Sequence, residues 1–154
     1  MSEVLAYRLV KRKWQETAFD GEGARLYGGR WNSKGNACVY VAGSESLALL
    51  EIMVHLEEYR LLAHYALLEI SLDETSILRL SPQHWPDDWR DEPAPYSTAE
   101  IGDGWLSRQA SLALAVPSVI VPREWNYLLN PAHPDFISVT REAKALDFLP
   151  DPRL

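Results

Sequence analysis

A glycine-rich segment around one arginine is the most unusual stretch of this sequence. Residues 27–35 read YGGRWNSKG, so two glycines stand directly before Arg30. Glycine lets a backbone approach a ligand closely, and the planar guanidinium of arginine matches a phosphate or pyrophosphate. The pattern therefore fits an anion-binding loop. Spacing alone favours the plainer alternative, a structural turn in which Arg30 pairs with a carboxylate.

Glu51 is the second residue that could carry chemistry, because it lies inside an apolar run. Residues 47–56 read LALLEIMVHL, and a carboxylate in such surroundings must be paired or become neutral. His55 stands four residues later, so it could be a neighbour on the same face of a helix. The alternative is that Glu51 lies on the exposed side of an amphipathic helix.

For three further polar residues, composition alone favours an ordinary structural role. Tyr40 lies in an apolar run typical of a strand, where an aromatic side chain ordinarily fills the core or a sheet face. Ser118 follows Pro117 between two apolar runs, which is typical of a turn residue. His133 stands within the rigid sequence NPAHP at 130–134, and we interpret it as structural.

The motifs of common nucleotide, hydrolase and metal sites are absent from the sequence. It contains no Walker loop, no GxGxxG after a strand, no GxSxG and no HExxH. The four histidines show no metal-ligand spacing, so we expect no metal. The single cysteine, Cys38, opens an apolar run and is predicted to be a buried thiol. One cysteine cannot form an internal disulfide, which suits a reducing compartment.

Length and charge narrow the class of protein. A chain of 154 residues without linker or repeat predicts one domain over 1–154. Its net charge of −7 disfavours direct binding to nucleic acid, and the short basic run at 11–13 is typical of a solvated turn. The first residues lack a signal-peptide pattern, and no apolar run approaches the roughly 18 residues of a membrane span. We therefore expect a cytoplasmic protein without membrane contact.

Hydrophobic periodicity places the candidate residues on short elements. It predicts a strand over 4–10, a long loop over 11–35, a strand over 37–42 and a helix over 45–58 with Ser44 as N-cap. Further along it predicts a proline-rich loop over 82–95, a helix over 98–110 that begins with a capping box, and strands over 65–72, 77–80, 111–116, 119–121 and 136–141. The tail should be an edge or a loose end. Because strands come in runs, we predict an α+β fold and not a doubly wound sheet.

Taken together, these pieces resemble the RES domain, the toxin of RES–Xre toxin–antitoxin pairs. The family is named for an arginine, a glutamate and a serine. The matching pieces occur in order over most of the chain. They are YRL at 7–9, GGRWNSKG at 28–35, VYVA at 39–42, SLALLE at 46–51, HL at 55–56, VPS at 116–118 and NYLLNPAHPDF at 126–136.

The resemblance implies an ADP-ribosyltransferase-like fold of mixed β-sheets with a few packed helices. It also implies a toxin of a type II toxin–antitoxin system with NAD⁺ as its substrate, and no resident cofactor. Members are described as splitting NAD⁺ by hydrolysis or phosphorolysis, while some ADP-ribosylate a protein. The implied partner is an Xre-type antitoxin with a helix-turn-helix domain, and a homodimer within that complex is one option.

Carried over by motif, the family's arginine falls on Arg30, its tyrosine on Tyr40 and its glutamate on Glu51. Its serine falls on Ser118, with Ser138 as second choice because Ser138 lies beyond the VPS motif. Arg8, within YRL, resembles a second ligand-contacting arginine.

Three other functions stay open beside NAD⁺ cleavage. The first is a transferase that attaches ADP-ribose to a protein. The second is a non-catalytic binding module in which Arg30 and Glu51 pair and hold the fold. The third is a nucleic-acid-cleaving toxin, which the acidic balance disfavours.

Overall fold

The computed structural model describes residues 2–154, which form seven strands and four α-helices. The strands are β1 (Glu3–Lys11), β2 (Val39–Ala42), β3 (Tyr65–Asp73), β4 (Ile77–Arg79), β5 (Ala113–Pro117), β6 (Trp125–Leu129) and β7 (Lys144–Leu146). The α-helices are α1 (Glu22–Tyr27), α2 (Glu45–Met53), α3 (Tyr96–Arg108) and α4 (Phe136–Arg141). Short 3₁₀ segments cover Arg12–Thr17, Tyr59–His64, Glu74–Ser76 and Pro82–His84.

All seven strands belong to one mixed sheet in the order β4-β5-β6-β2-β1-β3-β7. Only β4 and β5 run parallel, and every other neighbouring pair is antiparallel. β1 pairs with β3 along its whole length, but it meets β2 at the single pair Tyr7 and Ala42. The sheet therefore consists of two well-paired halves with a narrow junction. Helix α2 contacts both β1 and β2, and so it covers this junction.

The two faces of the sheet carry different clusters of buried side chains. In β2, Val39 and Val41 belong to the main core on one face, together with Ile70 and Leu129. Tyr40 points to the opposite face, as the period of two in a strand requires. On that face the buried side chains of α3 and those of α2 cover neighbouring parts of the sheet.

The predicted α+β class is confirmed, as are the strands of β1, β2, β3 and β4. The oxygen Oγ of Ser44 accepts a hydrogen bond from the Leu47 amide at 3.0 Å, so the predicted N-cap of α2 is confirmed. Cys38 is buried as predicted, and burial raises the pKa of its thiol to about 12.

Helix α2 is shorter than the sequence predicts. It ends at Met53 and not at Glu58, because the chain turns there before the 3₁₀ segment Tyr59–His64. His55 therefore lies beyond the helix, and within residues 2–154 it makes no hydrogen bond to Glu51. The hydrogen-bond partners of Glu51 are Ser118 and Asn126, so His55 does not satisfy its carboxylate.

The region 11–35 is not a structureless loop. It contains the 3₁₀ segment Arg12–Thr17 and the six-residue helix α1. Gly21 before α1 and Gly28 after it both have φ of +73°, a conformation that glycine adopts without strain. The glycines that suggested a loop thus mark the two ends of a short helix.

Two predictions in the last third of the chain are wrong. Phe136–Arg141 is helix α4 and not a strand, because Phe136 and Val139 pack on the core at helical spacing while Ile137 is exposed. Residues 119–121 belong to the loop between β5 and β6, whereas β6 itself was not predicted.

Helix α3 begins at Tyr96, and its N-cap, Pro95, makes no side-chain capping bond, so the capping box is not used. The tail does contribute an edge strand, β7.

Within residues 2–154, no helix has the length and apolar character needed to cross a membrane.

Gly102 and Gly104 of α3 give a matched pair of predictions. A Cβ on Gly102 would lie 1.6 Å from the carbonyl oxygen of Trp31, whereas a Cβ on Gly104 would meet no atom within 4 Å. We expect Gly102→Ala to destabilise the protein by about 3 kcal/mol or more, because backbone would have to move. Gly104→Ala should stabilise it by about 0.5–1 kcal/mol through helix propensity. Urea denaturation measures both, and equal effects would contradict the contact between α3 and Trp31.

Candidate active site

Glu51 in the last turns of α2 is the centre of a three-residue hydrogen-bond cluster. Its Oε2 accepts from Ser118 Oγ at 2.9 Å and from Asn126 Nδ2 at 2.6 Å. Ser118 directly follows β5, and Asn126 lies in β6. The structure therefore brings together two of the predicted site residues, Glu51 and Ser118, which are 67 positions apart in the chain.

Ser118 is held by the loop of residues 118–124, which we call the β5–β6 loop. Its Oγ accepts from the amides of Ile120 and Val121, each at 3.1 Å, and the side chain is fully buried. Because the lone pairs of Oγ accept these two bonds, the hydroxyl proton points to Glu51. Ser118 is thus both a turn residue and a fixed donor to the carboxylate.

The second carboxylate oxygen of Glu51 is open to solvent. Oε1 accepts no hydrogen bond from residues 2–154. In the same part of the chain every buried side-chain nitrogen or oxygen atom has a partner, so Oε1 is not buried. The cluster therefore presents one free carboxylate oxygen at a fixed position.

Arg8 lies in β1 and contributes a partly buried cation. Its Nε donates to Ala18 O and its Nη1 to Tyr40 O, both at 2.8 Å. Burial lowers the pKa of the Arg8 guanidinium, and the nearby Asp20 partly opposes this effect. The pKa of arginine is so high that the side chain stays protonated at neutral pH. No carboxylate of residues 2–154 forms an ion pair with Arg8. Arg8 is therefore a cation held by two backbone carbonyls, outside any ion pair of these residues.

Tyr40 supports the glycine-rich segment 27–35 through its hydroxyl group. The hydroxyl donates to Asn32 Oδ1 at 2.6 Å and accepts from the Trp31 amide at 3.1 Å. Burial raises the pKa of Tyr40 well above its usual range, so the hydroxyl stays protonated. A Cβ on Gly29 would lie 2.7 Å from this hydroxyl, which explains why the segment carries glycine there. Tyr40 thus fixes the backbone next to Arg30.

Arg30 is held by the proline-rich segment 82–95. Its Nη1 donates to Trp89 O at 3.0 Å and to Asp91 O at 2.7 Å, while Nη2 pairs with Glu92 Oε2 at 3.0 Å. The Arg30 side chain is 14% exposed and that of Glu92 is 79% exposed. Pairing of Arg30 with a carboxylate, the plainer alternative from the sequence, is therefore what the structure contains.

The structure does not bring Arg30 to Glu51. No hydrogen bond or ion pair joins them in the described part of the chain, so the pairing that a non-catalytic module would use is not found. The proline-rich segment does connect their surroundings, because Arg90 Nε donates to Val119 O in the β5–β6 loop at 2.9 Å. Arg30 and Ser118 are thus linked through one intervening segment.

The remaining polar candidates do not join the cluster. His133 Nδ1 accepts from the Asp135 amide at 3.1 Å, which suits its structural interpretation. Ser138 Oγ donates to Asp135 O on α4 and makes no bond to Glu51. Asn126 is not among the predicted site residues, although it opens the matching piece NYLLNPAHPDF and is a lone amide in the apolar strand WNYLL, a signal that could have found it.

A groove of about 640 Å³ lies beyond the carboxyl end of α2, next to the basic run at 11–13. Its walls include Ile52, His55, Leu56 and Tyr65. None of the five predicted site residues lines it. No carboxylate is among its lining residues, and three of them are Lys11, Arg12 and Lys13, so the groove suits a developing positive charge poorly.

Comparisons with known proteins agree with this architecture. The family model described as "RES domain" matches residues 5–151. "Toxin Res" of Yersinia enterocolitica is 44% identical over 98% of this chain and 99% of that relative. "Prs ADP-ribosylating toxin" of a Sphingobium species is 39% identical over 93% of this chain and 90% of its own length. The chain belongs to the RES domain family, as its motifs predicted.

A solved structure supports the same fold. One chain in the crystal structure of the M. tuberculosis MbcT–MbcA toxin–antitoxin complex superposes with a TM-score of 0.69. The match covers 94% of this chain and 85% of that chain at 18% identity. At this identity the likeness concerns the fold alone.

Removing the Tyr40 hydroxyl should loosen the glycine-rich segment. Tyr40→Phe leaves the Trp31 amide and Asn32 Oδ1 without this partner, so we expect a loss of about 1–3 kcal/mol of stability. Tyr27, in the same segment, is 77% exposed, and Tyr27→Phe should change stability by less than about 0.5 kcal/mol. Denaturation measures both changes. Unchanged amide hydrogen exchange at Trp31 in Tyr40→Phe would contradict this role.

Proposed function

We propose that this protein is the toxin of a type II toxin–antitoxin pair and that it cleaves the nicotinamide–ribose bond of NAD⁺. The observation that carries the proposal is the Glu51 carboxylate, whose Oε2 accepts from Ser118 and Asn126 while Oε1 faces solvent. Relatives that match nearly the whole chain bear the name "Toxin Res". The proposed activity would deplete NAD⁺ in the cytoplasm of the producing cell.

Glu51 is suited to the charge that this reaction develops. The nicotinamide of NAD⁺ is a cationic pyridinium, and it leaves as a neutral molecule with the bonding electron pair. The ribose then acquires oxocarbenium character, as in glycoside hydrolysis. A preorganised carboxylate oxygen close to the ribose stabilises that positive charge. Water or phosphate adds to the anomeric carbon and loses a proton to solvent, which gives ADP-ribose or its phosphorylated form.

Arg8 and Arg30 are the proposed partners of the pyrophosphate. Arg8 is a cation without a carboxylate partner among residues 2–154, so it can accept an anion with no loss of an ion pair. Arg30 would exchange Glu92 for a phosphate oxygen. In that exchange an arriving phosphate oxygen replaces the carboxylate of Glu92, whose side chain is 79% exposed and can turn away into solvent. With its hydroxyl occupied, Tyr40 offers the substrate its ring and a fixed neighbouring backbone.

The second candidate function is transfer of ADP-ribose to a protein. A specific observation favours it, since one relative with 39% identity is named "Prs ADP-ribosylating toxin". Both activities share the same first step, loss of nicotinamide, and differ in the nucleophile that follows. A free Glu51 Oε1 would serve either reaction.

The proposed partner is an Xre-type antitoxin with a helix-turn-helix domain. Support comes from the fold neighbour, which was solved as a toxin–antitoxin complex. A non-catalytic module is not favoured, because the pairing of Arg30 with Glu51 that it requires is absent from residues 2–154.

The test of NAD⁺ cleavage uses Glu51→Gln. Glutamine keeps the shape of the side chain and can still accept on one oxygen, but it lacks the charge. We expect the wild type to release nicotinamide from NAD⁺ and Glu51→Gln to lower kcat by about 10²–10³-fold. Glu57→Gln, an exposed residue beyond α2, is the matched control and should retain full turnover. A wild type that neither binds nor consumes NAD⁺ would refute the proposal.

Labelled substrate separates cleavage from transfer. With NAD⁺ labelled in its adenylate half, cleavage should release the label as free ADP-ribose, or as its phosphorylated form when phosphate is present. Transfer would instead place the label on a protein band in a cell extract. Label on protein with no free product would replace the cleavage proposal by the transferase.

A further inference from the structure

Asn126 donates a hydrogen bond to Glu51, but the family resemblance assigns it no role. It lies in β6, where its neighbours Trp125 and Tyr127 point to the main core and Asn126 points to the face that carries Tyr40. Its Nδ2 donates to Glu51 Oε2 at 2.6 Å. This distance is shorter than the usual 2.9–3.0 Å of such bonds, as in charge-assisted hydrogen bonds. A carboxylate only accepts, so the amide must present its nitrogen to Glu51.

The backbone of Asn126 is fixed on both sides by the sheet. Its register partners are Ala42 in β2 and Val116 in β5, so it stands in an interior strand. Ser118, the other donor, is fixed by the amides of its own loop. Two donors on rigid supports therefore converge on a single oxygen of Glu51, and this arrangement restricts rotation of the carboxylate.

We propose that Asn126 is a positioning residue for the reaction, which holds Glu51 in the rotamer that turns Oε1 towards the substrate ribose. This proposal rests on the proposed NAD⁺ cleavage. Asn126 acts through Glu51 and does not touch the reacting atoms. Ser118 alone would leave the carboxylate free to swing about one hydrogen bond, and a displacement of about 1 Å from productive geometry can cost about 10²-fold in rate.

The positioning role predicts a particular kinetic signature. The oxocarbenium charge exists only in the transition state, so loss of orientation at Glu51 lowers kcat and leaves ground-state binding of NAD⁺ nearly unchanged. We expect Asn126→Ala to lower kcat by about 10- to 100-fold, with KM within about twofold of wild type. Asn126→Asp keeps the shape but places a second carboxylate against Glu51, so its kcat should fall further.

Asn130, directly after the same strand, provides the matched control. It is 2% exposed, its Nδ2 donates to Leu106 O at 2.9 Å and its Oδ1 accepts from the Ala132 amide at 3.1 Å. Asn130→Ala removes a structural amide and should lower stability, yet kcat per folded molecule should equal that of wild type. The comparison separates positioning from a general loss of structure.

The experiment measures kcat, KM for NAD⁺ and urea denaturation for wild type, Glu51→Gln, Asn126→Ala, Asn126→Asp and Asn130→Ala. A low kcat with unchanged KM in the Asn126 variants, together with wild-type kcat in Asn130→Ala, supports the proposal. If Asn126→Ala folds poorly, the isosteric Asn126→Asp replaces it, and its kcat should fall at least as far with KM within about twofold of wild type. Wild-type kcat in a folded Asn126 variant, or an equal loss in Asn130→Ala, overturns the positioning role and leaves NAD⁺ cleavage standing. A wild type without turnover overturns both.

Discussion

The hydrogen bonds of Glu51 are the interaction on which the site depends. The sheet is weakest where β1 meets β2 at a single residue pair, and α2 covers that junction. The bonds from Ser118 and Asn126 attach the end of this helix to β5 and β6. One carboxylate therefore serves two purposes: it joins α2 to the four-stranded half of the sheet, β4-β5-β6-β2, and its second oxygen makes no hydrogen bond within residues 2–154. Such double use explains why a charged residue is tolerated within an apolar run.

The glycine-rich segment 27–35 packs closely against its neighbours. The Tyr40 hydroxyl lies against Gly29, and α3 lies against Trp31 at Gly102. Thr98 Oγ1 also donates to the Arg30 carbonyl at 2.6 Å. These contacts hold the backbone around Arg30 while its guanidinium bonds to the proline-rich segment. The segment is thus preorganised next to an arginine whose only carboxylate partner in residues 2–154 is largely solvated.

The sequence predicted those features that depend on a residue and its immediate neighbours in the chain. Residue type and immediate neighbours suffice to predict the N-cap at Ser44 and the burial of Cys38. They also single out Glu51 as a carboxylate within an apolar run. The partners of Arg30 lie 59 to 62 positions away, and no period in the sequence reports such contacts. FISVTR fits a strand and a helix equally by composition, so the packing of Phe136 decided between them. The link from Arg30 and Glu51 to NAD⁺ came from family resemblance and not from spacing.

The two outer strands of the sheet have a consequence for association. β4 and β7 are each three residues long, and they end or begin with the basic residues Arg79 and Lys144. Short, charged edges offer few unpaired amides and carbonyls to an incoming strand, which protects a sheet from edge-to-edge aggregation. Strand addition is therefore a poor way to bind this molecule. A protein that recognises it gains more by packing side chains on its helices and loops than by extending its sheet.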